Sequence, residues 1–79
     1  MSEEIKAPTL DLTLLDQAER LQTGANVHRI GEAIGLYRSE HMLANWKGWT
    51  DIKRARFERY ERQLRELVLK IVQEKASAK

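Results

Sequence analysis

Apolar residues recur along this chain at steps of three and four, the period of an α-helix that buries one face. In "TLDLTLLDQAERLQTG" they are Leu14, Leu15, Ala18 and Leu21. Asp11 or Thr13 stands where a side chain accepts from the free N–H groups of a first turn, and Gly24 supplies a stop. Together these predict a first helix over about residues 12–22. A later series, Phe57, Tyr60, Leu64, Leu67 and Ile71, alternates steps of three and four over two heptads. It follows a cap at Thr50 or Asp51 and predicts a long helix over about residues 51–75. Val68, Leu69 and Val72 broaden the apolar surface of its far half. Residues 1–8, closed by Pro8, read as a flexible tail. No strand-like alternation occurs, so the pattern predicts an all-α fold: a small three- to four-helix bundle forming one domain over residues 9–79.

The segment between the two helices, "ANVHRIGEAIGLYRSEHMLANWKGW", admits two readings. Asn26 is a candidate cap, and Val27, Ile30, Ile34 and Leu36 start a helix in either case. One reading is a single helix over residues 27–47, with Ile30, Ile34, Tyr37, His41 or Met42, and Trp46 lining one face. Gly31 and Gly35 would then let another helix approach closely. The other reading breaks the segment near residues 35–38, with a turn at Gly35 and Ser39 capping a second helix. Each glycine costs about 0.8–1.0 kcal/mol against alanine in a helix interior, so two of them need a reason. That weighs toward the turn, as does one similarity. The string "EAIGLYRS" resembles the turn of small helix-turn-helix regulators of phages and other mobile elements, and "NWKGW" resembles the Trp-Lys that ends the second helix in some of them. The resemblance covers residues 27–48. It departs at the sixth and ninth positions after Gly35, where the family has apolar residues and this chain has His41 and Ala44.

The resemblance implies a DNA-binding transcription regulator whose second motif helix, about Ser39 to Lys47, enters the major groove. Arg38, Ser39, His41 and Asn45 would face base edges or adjacent phosphates, since Asn suits adenine and Arg suits guanine. Lys47, Lys53, Arg54 and Arg56 would neutralise phosphates.

Length and charge add a second class of function. A core drawn from 79 residues is small, which makes self-association or docking a reasonable expectation. Leu64, Leu67, Val68, Ile71 and Val72 extend beyond the reach of a short first helix, so they are expected at a homodimer or partner interface. Residues 1–50 hold five Lys/Arg against seven Asp/Glu, a net of −2, and residues 51–79 hold nine against five, a net of +4. A basic last helix suits duplex DNA or an acidic protein surface. The alternative function is therefore a non-catalytic helical interaction module, or a phage-type inhibitor docking on a larger host or defence protein. Trp46 and Trp49 flank Gly48, and one is expected in the core and the other partly exposed.

Several classes find no residues to carry them. There is no cysteine, and His28 and His41 lie thirteen apart without a third ligand, so no metal is expected. No Ser is placed against a His and a carboxylate, and no Gly-rich phosphate loop occurs, so neither an enzyme, a cofactor nor a small-molecule substrate is expected. No apolar run approaches the roughly 20 residues of a membrane span. The start lacks a signal-peptide pattern, which gives a cytoplasmic expectation.

Overall fold

In the computed structural model, residues 7–77 are described, and among them the chain forms three α-helices and no strand. Helix α1 spans Leu12–Arg20, α2 spans Val27–Lys47 and α3 spans Asp51–Ser77. The expected tail falls outside the described residues except for Ala7 and Pro8.

Local chemistry sets the ends. The Asp11 carboxylate accepts from the Leu14 N–H at 3.1 Å, capping α1. The Thr50 hydroxyl accepts from the Lys53 N–H at 3.2 Å at the start of α3. Gly48 stops α2: at φ +101° it takes a conformation closed to most L-residues, while its N–H bonds the Ala44 carbonyl at 2.7 Å. Asn26 differs from expectation. It ends a short 3-10 turn, Gly24–Asn26, and its side chain makes no cap; it accepts from Arg29 at 2.7 Å instead.

The expected turn at Gly35 is absent, and α2 runs unbroken for 21 residues. Gly35 has no positive φ, unlike Gly24 and Gly48. Two interior glycines together cost on the order of 2 kcal/mol. Burying Ile30, Ile34 and Tyr37 gains about 1.5–3 kcal/mol for each large side chain. One continuous helix puts those three, with His41 and Ala44, on a single stripe. Burial outweighs propensity.

An unbroken α2 is about 31 Å long and runs antiparallel to α3, which is about 40 Å. Their contacts run in order along the pair: Arg29 reaches Glu74 at 3.4 Å, the Tyr37 ring stacks on Phe57 at 5.0 Å, and Arg56 reaches Glu40 at 3.6 Å. Helix α1 packs against both, adding Leu14, Leu15 and Ala18 to a core of Ile30, Ile34, Tyr37, Phe57, Leu64, Val68 and Ile71.

This placement corrects the expected interface. Leu64, Val68 and Ile71 are buried within the chain itself, and Leu67 is half-buried against the core. The reason is that α1 and the first turns of α2 both pack over the far half of α3. Of the five residues expected to meet another chain, only Val72 remains exposed, beside Leu69.

Candidate functional site

The residues expected to touch DNA do not form one surface. Arg38 turns back to α1, where its guanidinium meets Glu19 at 2.7 Å. His41 lies on the inward stripe, its ring 5.4 Å from that of Phe57 and 5.8 Å from that of Trp49. A carbonyl oxygen only accepts, so His41 donates from Nε2 to Pro8 at 2.9 Å and leaves Nδ1 as an acceptor. Asn45 donates to that Nδ1 at 3.3 Å, and its own Oδ1 accepts from the Trp49 indole N–H at 2.7 Å. The run from Trp49 through Asn45 and His41 to Pro8 closes the end of the bundle. Asn45 and His41 are thus committed to internal partners.

The basic residues are divided in the same way. The Lys53 ammonium donates to the Gly48 carbonyl at 3.0 Å, Arg54 pairs with Glu58 at 3.3 Å, and Arg56 pairs with the half-buried Glu40. Lys47 is exposed beside a shallow groove shared with Glu40, Leu43, Lys53 and Arg56. Such surface pairs contribute little to stability, yet each cancels charge that a phosphate would otherwise meet. Arg59, Arg62 and Lys70 are exposed on α3, with no carboxylate in ion-pair range among the described residues. Lys47 and Lys75 are exposed and unpaired among the described residues in the same way.

Of the predicted DNA-facing set, Ser39 alone points freely outward from the middle of α2. It belongs to a second stripe that sequence reasoning missed. Gly35, Ser39, Met42 and Trp46 follow one another at steps of four, three and four, on the side of α2 opposite Ile34, Tyr37 and His41. Leu36 and Leu43, seven apart, border it. Trp46 is 79% exposed, Met42 65%, Leu43 47% and Leu36 46%. A methyl group placed on Gly35 would meet nothing within 4 Å among the described residues, whereas one on Gly31 would strike the Gln22 side chain at 2.9 Å. Gly31 thus faces only the movable end of the Gln22 side chain, and Gly35 faces no internal group. The single-helix reading puts His41 or Met42, and Trp46, on the inward face; His41 lies there, and Met42 and Trp46 lie outside. Neither tryptophan is a core residue: Trp49 packs partly against the core, and Trp46 is largely exposed rather than partly so.

One titratable group is clearly perturbed. Burial pushes the Tyr37 hydroxyl well above its ordinary value of 10.0, and the neighbouring Glu61 carboxylate acts in the same direction against the opposing Asp11 N–H. The hydroxyl accepts from the Asp11 N–H at 2.8 Å and donates to Glu61 at 2.6 Å, tying all three helices together. It is enclosed and structural. Among the described residues no group of three His, Asp or Glu is placed to hold a metal ion, and no helix is long and apolar enough to cross a membrane.

No family model matches the chain, and neither a curated protein nor a solved structure matches it.

Proposed function

We propose that this chain is a non-catalytic protein-interaction module whose contact surface is the outer face of α2. The observation that carries this reading is the exposure of Leu36, Met42, Leu43 and Trp46 on one side of one helix, with Trp46 the most exposed. Contiguous exposed apolar side chains mark contact sites more often than scattered ones do, and tryptophan is enriched among residues that dominate binding. The four are also joined by Gly35, whose missing side chain leaves room for another chain to approach. The DNA-regulator reading loses support for a separate reason. It requires a turn at Gly35 and free side chains at His41 and Asn45, and α2 supplies neither.

The test is a photo-crosslinking residue placed at Met42 in the chain produced in cells, with the same residue at the exposed Glu66 of α3 as a control. A discrete protein adduct from position 42 that is absent from position 66 is the expected result. No adduct from position 42, together with salt-sensitive binding of duplex DNA in an anisotropy titration, would return the DNA reading to first place.

A further inference from the structure

The occupant of the α2 face is identified by the residues at its two ends. Glu32 is the acidic side chain on the outer stripe near the start of α2, where Arg29 at the stripe's edge is engaged by Glu74 of α3. Lys47 lies at the same edge at the finish, with no carboxylate paired to it among the described residues. Ser39 stands about midway between them, seven residues from Glu32 and eight from Lys47. A face that is negative at one end, positive at the other and apolar between is complementary to itself when turned end for end. A parallel copy would place Glu32 against Glu32 and Lys47 against Lys47, which is repulsive.

The shapes agree with the charges. In an antiparallel pair centred on Ser39, positions whose numbers add to about 78 lie at the same height. Leu36 of one copy then meets Leu43 of the other, and Met42 meets the open space over Gly35. Glu32 lies level with Trp46 and within reach of Lys47, and the two Ser39 side chains meet at the axis. Two-fold symmetry repeats each of these contacts, as an isologous interface requires. It also gives the glycine that no internal contact explains a reason: a side chain at position 35 would occupy the place of Met42 from the opposite copy.

We propose that the partner on this face is a second copy of this chain, joined as an antiparallel dimer through α2 and centred on Ser39. The proposal rests on the reading of α2 as a contact surface and adds its occupant. A single helix face is smaller than the roughly 800 Å² per partner of a standard interface, so the dimer should be reversible, with dissociation in the micromolar range.

The experiment is sedimentation equilibrium on the full chain from about 10 µM to about 1 mM, repeated for four variants. Gly35→Leu should fold, since the position is open, and should be monomeric throughout. Lys47→Glu and Glu32→Lys should each weaken association roughly tenfold, and the double reversal should recover to within about threefold of the unmutated chain. A monomer at every concentration overturns the proposal, as does a double reversal that fails to recover. The crosslink from position 42 separates this failure from that of the wider reading. An adduct of twice the chain mass supports the dimer. An adduct of any other mass overturns it while keeping the contact surface, and a monomer that gives no adduct overturns both.

Discussion

Tyr37 shows how much of this small fold depends on single side chains. Its ring stacks on Phe57, and its hydroxyl joins the Asp11 N–H of α1 to the Glu61 carboxylate of α3. Tyr37→Phe keeps the ring and leaves the Asp11 N–H and Glu61 without that partner, which should cost about 1–3 kcal/mol. For a domain of this size each kcal/mol moves the melting temperature by about 4–8 °C, so calorimetry resolves the effect. The raised hydroxyl also gives a pH dependence of known sign. The folded chain holds the proton more tightly than the unfolded one. This contribution is therefore fully present below the ordinary value of 10.0 and is lost as pH rises from there through the folded value. Alkaline melting curves should show that decline in the unmutated chain and lack its Tyr37 component in Tyr37→Phe. At the other end of the bundle, Asn45→Ala should lower the melting temperature by breaking the Trp49–Asn45–His41 run, an effect measurable with no DNA present.

Helix α2 is where the sequence was read differently from the structure. Its inward stripe of Ile30, Ile34 and Tyr37 is visible in the apolar period, as are the α3 seam and the Asp11 and Thr50 positions as caps. The glycines misled because propensity is a local preference of about 1 kcal/mol, whereas the burial that overrides it depends on α1 and α3 being in place. The expected interface residues followed from the short reach of α1 alone, whereas α1 and the first turns of α2 together cover Leu64, Val68 and Ile71. The candidate contact surface was only half legible: the spacing of Gly35, Ser39, Met42 and Trp46 is in the sequence, but which of two helical stripes faces inward is set by packing. Because Gly35 is helical and open, Gly35→Ala should raise the stability of the fold by about 0.5–1 kcal/mol in thermal or urea melts. A turn at Gly35 with a left-handed backbone would give the opposite sign.

The whole molecule keeps its chemistry on its outside and a closed apolar core within. Ile71→Ala should cost about 2–5 kcal/mol, a large share of the stability of so small a domain, and Ile71→Glu should unfold it by burying a carboxylate. Val72→Glu, one residue further on, should be tolerated because that side chain is exposed. The pair separates a self-covered α3 from one that waits for another chain. Every functional statement made for this chain depends on α2 being one helix, because the outer stripe exists only if Gly35, Ser39, Met42 and Trp46 share a continuous backbone. The most direct measurement is the ¹³Cα chemical shift of residues 33–40 in the free protein in solution. An uninterrupted run of helical shifts from Ala33 through Glu40 is the expected result. Non-helical shifts at residues 35–38 would divide α2 in two, dissolve the contact surface and restore the geometry that a helix-turn-helix needs.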